Sequence, residues 1–258
     1  MRGAIRTGLR AGSHRHRPKG TRGMTTTSPL VQIERTDRVA WIRLSRPPKN
    51  LLDTDLTAQL HTALVDLDGD GSVGAIVLTG SGGFFCGGAD GPKLRETGTA
   101  REFADAAVEL FAHFPRARKP ILAAVNGDAL AGGFGLVCSA DIVIAVEGSR
   151  LGTIEATFGT WPMIAQAPVA RRVPIKAALT NALTGQPFDA HRAHELGIVD
   201  EVVPAEHLAD RARHYAELAQ GGGQAALAGR SLFLASRDEP YEHALRRGAD
   251  AFVEMFGK

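Results

Sequence analysis

The chain of 258 residues predicts an α/β fold that ends in a helical part. Three features carry that expectation. Apolar runs at 75–79, 121–125 and 141–146 are too short for helices and sit between turn residues, the pattern of buried strands. Stretches with helical apolar spacing lie among them, and alternation of strand and helix argues for a sheet covered by helices. Beyond Gly185 the pattern becomes helical throughout.

Taken in order, residues 31–35 and 39–44 alternate well enough for a hairpin joined through Thr36-Asp37-Arg38, and Pro47 and Pro48 break it. Asp53 or Thr54 caps a helix reaching Leu67, with Leu56, Leu60, Ala63, Leu64 and Leu67 on one stripe. A buried strand follows at 75–79. Phe103, Ala107, Leu110, Phe111 and Phe114 give residues 99–114 helical spacing. A strand at 121–125, a short helix at 132–139 and a strand at 141–146 come next. The later helices are expected at 190–196, 206–219, 224–235 and 239–256, and no internal repeat is present.

An apolar share of 44% is ordinary for a globular protein with a real core. No apolar run approaches the roughly 20 residues of a membrane span, so no membrane partner is expected. The chain has 2 cysteines, Cys86 and Cys138, both within apolar or Gly-rich segments. That usage reads as a reducing compartment without disulfides, and the cytoplasm is the expected location. Residues 1–23 hold 7 of the 30 basic residues and no acid. The remaining 23 basic residues face 28 acidic ones, a net charge of −5, so the overall pI gives no reason to invoke nucleic acid. The basic segment 1–23 has no apolar signal region. It reads either as a transit peptide or, preferably, as sequence upstream of a start at Met24, and is expected to be disordered in both cases.

Two glycine-rich stretches follow strands: Phe84-Phe85-Cys86-Gly87-Gly88-Ala89-Asp90 and Asn126-Gly127-Asp128-Ala129-Leu130-Ala131-Gly132-Gly133-Phe134-Gly135. Glycine lets backbone approach a ligand closely, and two such loops can each aim an N–H at one carbonyl oxygen, an oxyanion hole. Either loop alone is more often just a turn. As an ordered pair they resemble the crotonase, or enoyl-CoA hydratase/isomerase, family. Three further stretches extend the resemblance: Arg46-Pro47-Pro48-Lys49-Asn50-Leu51-Leu52, Lys119 to Gly127, and Leu151-Gly152-Thr153-Ile154-Glu155. So does the stretch from Leu183-Thr184-Gly185 to Val203-Pro204, and the likeness runs from about Val31 to the end.

The resemblance implies a spiral of strand-strand-helix turns. It divides the chain into residues 24–185, an α/β core with an acyl-CoA site, and residues 186–258, a helical region joining subunits into homotrimers or homohexamers. It places the oxyanion N–H groups on Ala89 and Gly132, and the proton-transferring carboxylate on Glu155. Gly132 would also open the short helix, turning the positive end of its dipole to the same oxygen. Beside the substrate the resemblance implies Lys49, Asn50, Gly88, Asp90, Lys93, Gly133 and Trp161, with Lys49 and Lys93 as candidate phosphate contacts. Trp161 and Met163 either shape an acyl pocket or belong to the core. The substrate expected is an acyl-CoA thioester, with CoA carried in as part of it. No separate cofactor or metal is implied, since no His/Cys cluster has ligand spacing. The Cys86 thiol beside the first loop is a conceivable nucleophile, although free cysteine is more often a small buried hydrophobe.

The chain departs from the family at Gly135. Hydratases of the family carry a glutamate there, and hydration uses two carboxylates. Moving a double bond needs one base and the enolate hole. The expected reaction is therefore enoyl-CoA isomerisation with Glu155 as proton shuttle. Hydration, with Asp90 or Asp128 as substitute, is the alternative. After it come decarboxylation or hydrolysis, and then acyl-CoA binding without catalysis. A glutamate at position 135 is expected to be tolerated and to restore hydration. The chain also ends where many members continue into a further helix.

Overall fold

A computed structural model describes residues 29–257. The expectation for residues 1–23 lies outside the described residues.

The main sheet has six strands in the order β1-β2-β3-β5-β7-β10. They are β1 (Val31–Thr36), β2 (Val39–Leu44), β3 (Ala75–Gly80), β5 (Ile121–Val125), β7 (Ile142–Val146) and β10 (Glu201–Val203). The first two form the expected hairpin, and all the other pairings are parallel. A second, four-stranded sheet has the order β4-β6-β8-β9, from β4 (Phe84–Cys86), β6 (Asp128–Leu130), β8 (Arg150–Gly152) and β9 (Phe188–Asp189). Each of the steps β3 to β4, β5 to β6 and β7 to β8 puts one strand in each sheet, which is the spiral the resemblance implied.

Alternation along the strands sends side chains to two cores. Ile42, Ile76, Leu78 and Ala123 face one side, against Leu56, Leu60, Leu64 and Leu67 of α1 (Thr54–Gly69). Asp53 caps that helix by accepting from the Leu56 N–H at 2.8 Å. Val39, Ala75, Val77, Leu122 and Ile144 face the other side, covered by Leu208, Ala212 and Ala216 of α8 (Leu208–Gly221).

The remaining helices are α2 (Gly91–Thr97), α3 (Ala100–Arg116), α4 (Gly132–Ser139), α5 (Gln166–Arg172), α6 (Ile175–Thr184), α7 (Ala190–Glu195), α9 (Gly223–Ser236) and α10 (Tyr241–Phe256). α4 has the bounds expected from the sequence. Of these, α2, α5 and α6 were not expected. The packing after residue 185 is shared between the sheets and the later helices. β9 adds a strand to the small sheet and β10 to the main one, and Leu208, Ala212 and Ala216 of α8 are buried against the main sheet. Past α8, α10 has no buried residue, and its Tyr241, Leu245, Phe252, Val253 and Phe256 are all exposed.

Candidate active site

β4, β6 and β8 are neighbours and run parallel, so their C-terminal ends reach the same edge. The chain continues from those ends into Gly87-Gly88-Ala89, Ala131-Gly132 and Thr153-Ile154-Glu155. The short sheet, invisible in the periodicity, thus brings the two glycine loops and the candidate base together.

The Ala89 amide is aimed by its neighbours. The Leu52 N–H donates to the Gly88 carbonyl and the Asp90 N–H to the Leu52 carbonyl, both at 2.8 Å. In a trans peptide C=O and N–H point opposite ways. With the Gly88 oxygen fixed on Leu52, the Ala89 N–H points away from the Leu52 segment. Among the described residues it has no protein acceptor, and Ala89 is exposed.

The Gly132 amide is aimed by strain. Ala131 has φ 53° and ψ −123°, which a residue with a Cβ adopts only under constraint. The constraint is the Ala131 N–H donating to the Gly152 carbonyl at 2.9 Å, with the Gly135 N–H returning to the Ala131 carbonyl at 3.2 Å. The Gly132 N–H is the first of α4 and also has no protein acceptor among the described residues. The two donors are close together. A methyl built on Gly132 would lie 3.8 Å from the Ala89 nitrogen, and one on Gly88 would lie 2.8 Å from the Gly132 nitrogen. Gly88 has φ +85° and no room for a side chain, so glycine is required there.

Glu155 opens a 3-10 turn, Glu155–Phe158, three residues beyond the end of β8. Its Oε2 accepts from the Ile154 N–H at 2.9 Å. Burial holds its carboxyl above the ordinary glutamate range, against the lowering effect of its own amide and that of Ile154. A raised carboxylate is a stronger proton acceptor when ionised.

The two substitute carboxylates are engaged elsewhere. Asp128 pairs with the Arg150 guanidinium and accepts from the Arg150 N–H at 2.9 Å. Asp90 accepts from Arg46 Nη2 at 2.6 Å and caps α2 through the Lys93 N–H at 3.2 Å. Cys86 is buried and its thiol is pushed up to about 12, so it is no nucleophile at neutral pH.

Several residues expected beside the substrate have internal tasks. Asn50 is fully buried. Its amide donates to the Ser81, Phe84 and Phe85 carbonyls at 3.0, 2.8 and 3.3 Å, and its Oδ1 accepts from the Arg46 N–H at 3.0 Å. It ties its own turn to the β3–β4 turn and to β4, and offers no side-chain surface. Gly133 is glycine for packing, since a methyl there would lie 2.1 Å from the Cys86 oxygen. The Lys93 ammonium bonds Asp53 at 2.6 Å. Lys49 is exposed, and Trp161 is half-buried with its Nε1 donating to Gln166 at 2.8 Å.

Gly135 is buried, and a methyl on it would lie 3.0 Å from Phe111 Cζ and 3.1 Å from Ala165 Cβ. A side chain there requires Phe111 and Ala165 to give by a few tenths of an ångström. The expectation of a tolerated glutamate rested on helix propensity alone, and these two contacts add a packing cost to it. Phe111 also lines a cavity of about 350 Å³ around Val108, Phe114, Cys138, Ile164 and Pro168. That cavity lies at the C-terminal end of α4, about 9 Å along the helix from Gly132 at 1.5 Å per residue.

Sequence reasoning missed Arg46 and Asp53 as parts of the site's frame. Arg46 stood inside a quoted motif, but nothing in the sequence linked it to Asp90.

Residues 34–258 match the family model described as enoyl-CoA hydratase/isomerase. A probable enoyl-CoA hydratase of Rhizobium meliloti is 37% identical over 191 residues, covering 72% of this chain and 73% of that protein. The 2,3-dehydroadipyl-CoA hydratase of Escherichia coli is 34% identical over 176 residues, covering 67% and 69%. Among solved structures, an enoyl-CoA hydratase of Mycobacterium smegmatis superposes with a TM-score of 0.84 at 28% identity, covering 89% of this chain and 92% of that one.

Proposed function

The chain belongs to the enoyl-CoA hydratase/isomerase family, and from that premise we propose that it moves the double bond of an enoyl-CoA thioester, with Glu155 as its proton shuttle. The ionised carboxylate takes a proton from the α-carbon of a β,γ-enoyl-CoA. The electrons move into the thioester carbonyl, and the N–H groups of Ala89 and Gly132 stabilise the resulting dienolate oxygen. Glu155 then returns the proton to the γ-carbon, giving the conjugated α,β-enoyl-CoA with no atom gained or lost. CoA arrives with the substrate, and no other cofactor takes part.

One observation carries the choice of reaction. The second carboxylate that hydration calls for is missing at Gly135, and the available substitutes, Asp90 and Asp128, are held in ion pairs with Arg46 and Arg150. Hydration is the second reading, favoured by the printed names of the relatives.

The same reading makes the protein a homotrimer or homohexamer, supported by the uncovered apolar side chains of α10 and by Phe233 of α9. Among the described residues no helix is long and apolar enough to cross a membrane. Free, buried Cys86 and Cys138 fit a cytoplasmic setting.

Glu155→Gln tests the shuttle. Turnover should fall by about 10²–10⁴-fold while acyl-CoA binding stays close to wild type. Unchanged turnover in the folded variant would remove Glu155 from the mechanism.

A further inference from the structure

We propose that Arg46 is a positioning residue for the oxyanion hole, its guanidinium heading a chain of two peptide groups that ends at the Ala89 N–H. The proposal rests on the reading of Ala89 as an oxyanion donor. Arg46 Nη1 donates to the Leu51 carbonyl at 2.8 Å. The other end of that peptide, the Leu52 N–H, donates to the Gly88 carbonyl at 2.8 Å. The other end of the Gly88 peptide is the Ala89 N–H. Each trans peptide passes direction on, because its C=O and N–H are antiparallel. Each also passes on polarisation, because hydrogen bonds in a chain strengthen one another. A charge-assisted donor at the head draws electron density away from the far N–H, making it a better donor to a developing enolate, and the pairing with Asp90 tempers that pull without removing it.

The guanidinium is fixed on two further sides. Nη2 bonds Asp90 at 2.6 Å, the residue directly after Ala89, and Nε lies 3.4 Å from Asp53 Oδ2. Asp53 is itself anchored by Lys93 at 2.6 Å. Burial pushes the Asp53 carboxyl up, but Lys93, the Leu56 amide and Arg46 outweigh it, so it stays charged. Arg46 thus spans both sides of the Leu52–Ala89 bridge. One planar fork reaches all three acceptors, which a lysine ammonium in the same place cannot do. Gly132 has no such device and relies on the strained Ala131 instead.

The test is the carbonyl stretch of a bound, unreactive saturated acyl-CoA labelled with ¹³C at the thioester carbon, read by infrared difference spectroscopy. Wild type, Arg46→Lys, Arg46→Met and the surface control Arg101→Ala are compared, together with kcat, KM and melting temperature. In wild type and Arg101→Ala the band should be shifted to low frequency by the two donors. In Arg46→Lys it should return part of the way and in Arg46→Met further. Each should show kcat lower by about 10- to 100-fold, short of the loss of a whole donor, with KM little changed. If the wild-type band is shifted and the folded Arg46 variants keep the full shift and kcat, the proposal is wrong. A lower melting temperature with the shift retained would give Arg46 a structural role alone and would also overturn it. If the wild-type band is not shifted, the oxyanion hole itself fails, and Arg46 with it.

Discussion

Gly88→Ala would wedge the two donors of the hole apart. Gly88 has φ +85°, where an L-residue costs about 1–2 kcal/mol. The added methyl would lie 2.5 Å from the Ala131 Cβ and 2.8 Å from the Gly132 nitrogen. Ordinary carbon contacts need about 3.5–4.0 Å, so the loops must separate by about 1 Å. Overpacking of that kind costs a further 1–3 kcal/mol, roughly, giving about 2–5 kcal/mol of lost stability in all. The effect on rate is separate. A displaced Gly132 or Ala89 N–H no longer meets the enolate oxygen, and losing one donor costs about 2.7–4 kcal/mol, or 10²–10³-fold in kcat. Gly82→Ala is the matched control, with φ +68° but nothing within 4 Å of the added methyl. Urea unfolding and kcat for both variants separate the two effects. Both should lose stability, and only Gly88→Ala should lose turnover. If Gly88→Ala, folded, turns over as fast as Gly82→Ala, the two loops do not form the hole.

Burial that raises the Glu155 carboxyl favours its neutral form in the folded protein. Stability is therefore lost as pH rises from the unfolded value through the folded one. Glu155→Gln should raise the melting temperature at neutral pH while removing activity, and the acid limb of wild-type kcat/KM should lie above the ordinary glutamate range. Asn50→Ala leaves the Ser81, Phe84 and Phe85 carbonyls without their donor, and should cost about 3 kcal/mol or more in urea unfolding, at 1–3 kcal/mol per orphaned group. An unchanged midpoint would remove Asn50 from the frame. Gly135→Glu alone should gain no hydration, because the side chain meets Phe111 and Ala165; with Phe111→Ala, 3-hydroxyacyl-CoA should appear, and its absence in a folded double variant would separate position 135 from Glu155. Light scattering should find more than one copy per particle at micromolar concentration, and Leu245→Glu with Phe252→Glu on the exposed face of α10 should reduce it; a wild-type monomer would contradict the assembly.

Elements with a long period were legible in the sequence. The stripe from Leu56 to Leu67 marked α1, and the glycine pair at 132 and 133 marked the start of α4. The small sheet was not legible, because strands of two or three residues carry no period and their partners lie far along the chain. Glu155, Ala89 and Gly132 came from the resemblance, and that sheet places all three at one edge. The resemblance could not say which way a side chain turns. Asn50 and Asp90 stood in the right loops, but their polar atoms face inward, to carbonyls and to Arg46. At Gly135 local helix chemistry favoured a glutamate, while the obstacle, Phe111, comes from α3 and is visible only after folding.

The central claim is that one carboxylate moves a proton and no water is added. It is tested most directly by incubating the wild type with a β,γ-enoyl-CoA and following both absorbance and product mass. The account predicts a conjugated α,β-enoyl-CoA of unchanged mass, and no such product from Glu155→Gln. Accumulation of a 3-hydroxyacyl-CoA, heavier by one water, as the main product at a rate matching that of isomerisation would contradict it.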